Sequence, residues 1–218
     1  MAAGWNFNEA SGNVIDYVGT STFALSGNTV RTADGGGKTG IVGDRGLTQT
    51  AEASQTVPLP GQAAQRTIAC WAKQTAAITA GWTLEYKNND LNTGVFGFLW
   101  LSGTLRFRAK NPANTPTEIS VSPLVDSTWH HLCGSYDGTN LRFFIDGVLD
   151  TRTLAFAGPI WVPTNASFLM FDTTGSPLTI DNAQVLDSAI TTEPAAAALM
   201  NSVPGLAART GQFFPFFP

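Results

Sequence analysis

Trp129-His130-His131-Leu132-Cys133-Gly134-Ser135-Tyr136-Asp137-Gly138, followed two residues later by Leu141-Arg142-Phe143-Phe144-Ile145-Asp146-Gly147-Val148, is the stretch that decides the fold. Leu141, Phe143 and Ile145 alternate with Arg142, Phe144 and Asp146, the period of two expected of a strand with one buried face. Asp137-Gly138 and Asp146-Gly147 punctuate the runs, and Asp-Gly suits tight hairpins because glycine accepts positive φ without a Cβ clash. The pattern continues upstream. After a Ser102-Gly103 turn, Leu105, Phe107 and Ala109 alternate strictly with Arg106, Arg108 and Lys110. Residues 94–154 therefore read as one antiparallel meander, with strands at 94–101, 104–110, 129–136, 141–146 and 148–154.

Composition fits such a chain. Its 218 residues are 43% hydrophobic, enough for one substantial core. Only 13% are charged, against roughly 25% in ordinary soluble domains. With 12 basic and 16 acidic residues the formal net charge is −4, which argues against bulk electrostatic binding of nucleic acid. No apolar run approaches the roughly 18 residues of a membrane span, and the hydrophobic share is too high for a disordered chain. The start, Met1-Ala-Ala-Gly-Trp5, lacks the basic and apolar regions of a secretory signal, so the expectation is a protein made and folded in a cytoplasm. Cys70 and Cys133 have no metal-type spacing. They read as two buried free thiols or as one bridge between neighbouring strands. One helix is expected near the end, where Thr191 or Thr192 can cap, Glu193 and Pro194 suit a first turn, and Val203-Pro204-Gly205 stops the run. One short helix among many strands points to an all-β sandwich.

The blocks together resemble the LamG-like, concanavalin A-like jelly-roll domains, whose signature reads W-H-H-(V)-A-G-x-Y-D-G-x-x-L-x-(L/F)-Y-(V/I)-D-G. Three further blocks agree in order: Gly4-Trp5-Asn6-Phe7 with the turn to Gly12, Thr67-Ile-Ala-Cys-Trp71-Ala-Lys73, and Leu178-Thr-Ile-Asp181-Asn-Ala-Gln-Val-Leu186. The resemblance spans about residues 4–200. It implies a two-sheet antiparallel jelly-roll β-sandwich with six or seven strands per sheet. It also implies first and last strands side by side, with both termini at one edge. Many relatives hold a structural Ca²⁺, for which Asp16 and Asp181 stand at matching positions, although no dense acidic cluster surrounds either.

The same architecture houses glucanases, whose E-x-D-x-x-E run is absent. Glu9, Glu52, Glu85, Glu118 and Glu193 are isolated from one another in the sequence, whereas retaining hydrolysis needs two carboxyls about 5–5.5 Å apart. A non-catalytic role is therefore expected. In the family Trp-His-His is a structural corner, and adjacent strand residues such as His130 and His131 point to opposite faces, a poor chelating pair. Sugar binding needs flat aromatic faces and hydrogen-bonding polar groups rather than net charge. The candidates are Trp82, Trp100 and Trp161 with Arg106 and Arg108. Each tryptophan has a competing place in the core, and the Arg106/Arg108/Lys110 stripe a competing role as a solvated face paired with Glu85.

The C-terminus is Thr210-Gly-Gln-Phe213-Phe214-Pro215-Phe216-Phe217-Pro218. Its prolines block a helix and cannot donate to a sheet ladder, so an extended segment is expected. Left in water, four phenylalanines would be a costly terminus. The chain thus divides into a jelly-roll domain, 1–202, and a tail, 203–218, in which Phe213, Phe214, Phe216 and Phe217 would anchor in a neighbouring subunit. LamG-like domains are frequent in minor tail proteins of bacteriophages. The resemblance thus implies a virion accessory protein, in the tail or as capsid decoration, docked through residues 211–218 to other subunits and contacting host glycan. A secreted bacterial carbohydrate-binding module, extracellular in location, is the alternative, and a glucanase-type hydrolase the third reading.

Overall fold

A computed structural model describes residues 2–25, 28–49, 53–59, 63–122, 124–156, 158–173 and 178–202. In chain order the strands are β1 (Ala3–Trp5), β2 (Thr29–Arg31), β3 (Leu47–Gln49), β4 (Ala53–Val57), β5 (Arg66–Gln74), β6 (Ala80–Asn88) and β7 (Thr93–Leu101). They continue with β8 (Thr104–Lys110), β9 (Pro116–Val121), β10 (Trp129–Tyr136), β11 (Asn140–Ile145), β12 (Val148–Ala155), β13 (Ala166–Thr173) and β14 (Leu178–Leu186), and the helix α1 (Glu193–Met200) closes the series. Two antiparallel sheets result. The first runs β12-β11-β10-β5-β14-β3-β2, with β1 also on β14, and the second β4-β13-β6-β7-β8-β9. This is the expected jelly-roll sandwich.

The single expected meander is in fact two. Strands β7, β8 and β9 belong to the second sheet and β10, β11 and β12 to the first, so the chain crosses between sheets after Val121. The sequence reading contains no β9, because Pro116 opens it and only Ile119 and Val121 carry apolar weight. The hairpin turns follow expectation: φ is 53° at Asp146 and 81° at Gly147, and 52° and 74° at Ser102 and Gly103, the paired positive values of a tight hairpin turn. β1 does pair with β14, Ala3 opposite Val185. However, β14 is an interior strand, flanked on one side by β5 and on the other by β3 and β1 in succession. The first and last strands therefore lie side by side, as the resemblance implies, but in the interior of the first sheet.

Alternate residues of both sheets face inward and interdigitate. Trp5 stacks on Phe168 with ring centres 6.0 Å apart, and Phe98 and Phe107 meet Phe143 across the sandwich at 5.6 and 5.9 Å. Burying such a side chain is worth about 1.5–3 kcal/mol. A second, smaller apolar cluster lies on the outer face of the first sheet, where Ala196 and Leu199 of α1 cover Ala69, Cys133, Phe144 and Leu186. Thr192 caps α1 through its extended backbone without a side-chain hydrogen bond. Glu193 is spent elsewhere, its Oε1 accepting the Leu149 N–H at 3.0 Å and tying the helix to β12.

Register decides between the two readings of the cysteines. Cys70 lies opposite Leu132, and Cys133 opposite Ala69. The thiols therefore sit on adjacent strands but opposite faces, Cys70 in the main core and Cys133 under the helix. Both are free, and burial pushes both well above the ordinary thiol range.

Candidate functional site

The alternation of β8 turns Arg106, Arg108 and Lys110 to the outer face of the second sheet while Leu105, Phe107 and Ala109 enter the core. Pairing across the sheet sets two rows on that face. Glu85, Gly97, Arg108 and Glu118 form one, and Trp82, Leu99, Arg106 and Ser120 the other. Glu118 takes both arginines, with Arg106 Nη1 at 2.7 Å from its Oε2 and Arg108 donating Nε to Oε1. Burial alone would raise the Glu118 pKa, but hydrogen bonds and charge from Arg106 and Arg108 outweigh it and hold the carboxyl below its usual range. Glu118, on the strand the sequence did not reveal, pairs with both arginines of the stripe, while the charge of Glu85 acts on Lys110.

Trp82 lies over β7. A Cβ added at Gly94 would stand 2.4 Å from Trp82 Cζ2 and 2.3 Å from Glu85 Oε2, so a bare backbone there is what lets the indole and carboxylate lie side by side. The Arg108 guanidinium carbon is 5.1 Å from the Trp82 ring centre, a cation–π contact worth about 0.5–1 kcal/mol at an exposed site. β6 reaches this arrangement through an irregularity between Thr83 and Glu85, where Leu84 takes φ 50°. Bulges commonly re-aim side chains in this way next to sites. Trp82 is half-buried beside the Arg108 guanidinium.

Two sequence candidates fall elsewhere. Trp100 is a correction: at 1% exposure it is core, with Nε1 donating to Gln74 Oε1 at 3.1 Å, and has no face to offer a sugar. Trp161 is in neither row; it packs partly buried against the main core, its backbone N–H on the Lys110 carbonyl. The anchoring residues Phe213, Phe214, Phe216 and Phe217 lie outside the described residues.

Asp16 and Asp181 do not fit a shared Ca²⁺. Asp16 accepts backbone N–H groups of Gly4, Val18, Gly19 and Ser21 at 2.8–3.0 Å, and so is surrounded by donors where a cation needs lone pairs. Asp181 likewise accepts from Lys38 and Asn182, at 2.9 and 2.7 Å. Among the described residues no three His, Cys, Asp or Glu side chains gather as a metal site would need. Burial pushes the Asp181 carboxyl up to about 7.

The histidine corner divides as alternation requires. The His130 ring bridges Asp146 Oδ2 at 2.7 Å and Asp126 Oδ2 at 2.9 Å. Burial alone would lower its pKa, but these two carboxylates raise it. Asp146 Oδ1 meanwhile accepts the His131 backbone N–H at 2.8 Å, so one carboxylate clasps both residues. The His131 ring faces the other way, 5.5 Å from Trp71, and burial brings its pKa down to about 4.

Sequence reasoning missed a second polar cluster, on the outer face of the first sheet. Lys38 Nζ sits 3.8 Å from the Trp71 ring centre, and Lys73 Nζ 5.1 Å from that of Trp129. The parity of Trp71 with Lys73, and of Trp129 with His131, carried the signal for the two indoles. Nothing in the sequence brings Lys38 there.

The model of the concanavalin A-like lectin/glucanase superfamily, in its Laminin_G_3 form, matches residues 44–194. The chain belongs to this superfamily. No curated protein matches the sequence. Similar solved structures include the binding domain of Paraclostridial Mosquitocidal Protein 1, with TM-score 0.71, 11% identity and coverage of 92% of this chain and 51% of that one. The ligand binding domain of botulinum neurotoxin serotype D, in complex with N-acetylneuraminic acid, has TM-score 0.64 and 8% identity, covering 90% and 49%. A Trypanosoma rangeli sialidase has 0.62 and 10%, covering 90% and 32%. The chain thus spans about half the length of the toxin domains or less, and at these identities the likeness is one of fold. Binding domains and a sialidase both carry the superfamily's sandwich.

Proposed function

We propose that this chain is a non-catalytic binding module that holds a glycan on the outer face of the second sheet, with Trp82 as the stacking platform and Arg106 and Arg108 as donors. The observation that carries the reading is the half-buried Trp82 indole, fixed between Gly94 and the Arg108 guanidinium, which is itself fixed by Glu118. A prearranged platform loses little freedom on binding. The acids on this face support binding over hydrolysis. Glu85 and Glu118 stand three strands apart, about 14 Å along the sheet at ~4.8 Å per strand, with Arg108 between them. Glycosidase carboxyls stand roughly 5–9.5 Å apart. The experiment is a glycan array probed with the protein and with Trp82→Ala; the module binds a defined set of glycans and the variant loses those held on this face.

In its finer form the proposal is a bacteriophage virion accessory protein, in the tail or on the capsid, assembled in the host cytoplasm. Residues 211–218 dock it to neighbouring subunits. The low charge, 13%, and the four phenylalanines in the last six residues support this. Uncharged surface is cheaper to cover than Lys or Glu. Deleting residues 211–218 abolishes incorporation into particles on this reading. A secreted bacterial carbohydrate-binding module is the alternative, and it predicts unchanged glycan binding after the deletion with no particle to join.

A further inference from the structure

The outer face of the first sheet lies on the opposite side of the sandwich from Trp82. There α1 ends at Met200, whose carbonyl accepts the Trp71 Nε1–H at 3.2 Å. Beyond that helix end, Trp71 of β5 and Trp129 of β10 share the face. Register sets Trp71 opposite His131 and Trp129 opposite Lys73, so the two residues are diagonal cross-strand neighbours, their backbones about 7–8 Å apart by sheet geometry. Both are half-buried and keep surface toward solvent. The segment carrying Lys38 borders them on the other side, where the Lys38 N–H is held by Asp181, the residue paired with Trp71 on β14.

The polar groups in this cleft are incompletely matched. The Lys38 and Lys73 ammonium groups rest on the two rings, and among the described residues neither is in an ion pair. His131, 1% exposed, lies against Trp71, and neither ring nitrogen has a hydrogen-bond partner among the described residues. Partial burial lowers the Lys38 pKa, and only the more distant charges of Asp181 and Asp44 oppose it. Two flat apolar surfaces therefore stand next to two cations that lack an anion in contact. A neutral sugar would cover the indoles and leave the cations as they are, while a simple anion would do the reverse. A sugar carrying a carboxylate does both, because a pyranose face packs on an indole and an ammonium makes charge-assisted hydrogen bonds to a carboxylate.

We infer that Trp71, Trp129, Lys38 and Lys73 form a second binding site, for an acidic saccharide, with the sugar ring against the indoles and its carboxylate on the ammonium groups. The site does not depend on the Trp82 face. The test titrates the full-length protein with a panel of uronate- and sialate-bearing oligosaccharides, neutral oligosaccharides of equal length, and inorganic phosphate, read by calorimetry and tryptophan fluorescence. At least one acidic oligosaccharide binds about tenfold tighter than its neutral counterpart, and binding weakens as salt is raised. The double variant Lys38→Gln/Lys73→Gln, both positions at the surface, loses that preference while keeping the wild-type circular dichroism. Phosphate does not compete at equal concentration. The proposal is overturned if no acidic oligosaccharide binds at millimolar concentration, if the double variant binds as the wild type does, or if phosphate competes at equal concentration. An affinity gain on deleting residues 211–218 would instead make the chain's own end the occupant, which also overturns it.

Discussion

The Arg108 guanidinium rests 5.1 Å from the centre of the Trp82 ring. Its Nε at the same time donates to Glu118, so the carboxylate on β9 sets the position of an aromatic on β6, two strands beyond β8. Replacing Glu118 with Gln keeps the shape but removes the charge that two arginines share. We expect Glu118→Gln to weaken glycan binding severalfold and to cost about 1 kcal/mol or less of stability, since partly exposed ion pairs contribute little. Arg108→Lys should weaken binding as much as Arg108→Ala, because an ammonium cannot hold two Glu118 contacts and cover a ring in one geometry. Calorimetric titration of the three variants checks both.

Gly94 and Gly97 separate the site from the fold. A Cβ at Gly94 meets the ends of two side chains, Glu85 and Trp82, whereas one at Gly97 meets the Leu84 carbonyl oxygen at 2.5 Å and the Glu85 Cα at 2.8 Å. Gly94→Ala should therefore displace Trp82 and abolish glycan binding at a modest stability cost of about 1 kcal/mol. Gly97→Ala strains the ladder itself and should cost about 2–3 kcal/mol. Urea melts of both variants, with binding measured on the folded protein, give the comparison.

His130 supplies a pH dependence of known sign. Its pKa is raised in the fold, so its stabilisation is complete below the unfolded value near 6.5 and is lost as pH rises through the higher folded value. Asp126 is lowered, to about 2, first by its hydrogen bond to His130. Its share is present above the unfolded value near 4 and lost as pH falls toward 2. His130→Gln should thus narrow its gap to the wild type as pH climbs from 6 to 9, seen in melting temperatures across that range.

His131 and Asp181 flank Trp71 on β10 and β14 and titrate in opposition. His131 is lowered to about 4, so stability rises with pH between about 4 and 6.5, on the order of 3 kcal/mol in all. Asp181 is raised to about 7, so stability falls with pH between about 4 and 7 by a similar amount. The wild type should be nearly flat over pH 4.5–6.5. Asp181→Asn should grow more stable with rising pH, and His131→Gln less stable.

Much of the fold was legible because its strands alternate. The parity of Leu105, Phe107 and Ala109 put Arg106 and Arg108 outward, and Asp146-Gly147 marked a real hairpin. The family blocks located β1, β5, β10 and β14. Trp100 was not separable from Trp82 by sequence, since Phe96, Phe98 and Trp100 alternate with Gly97, Leu99 and Leu101, apolar or bare on both faces. Glu118 was hidden because β9 opens on proline and alternates weakly. Lys38 stands in a glycine-rich segment without periodicity, and only its hydrogen bond to Asp181 brings it to Trp71. The loop logic of Asp16 was likewise unreadable, because its four partners are backbone groups.

The most direct test of the binding reading is the affinity of one array-identified glycan for the wild type and for Trp82→Ala, measured by calorimetry on proteins with matching circular dichroism. Loss of one stacking platform should weaken binding by about tenfold or more. Equal affinity of the two proteins would contradict a glycan site built on the outer face of the second sheet.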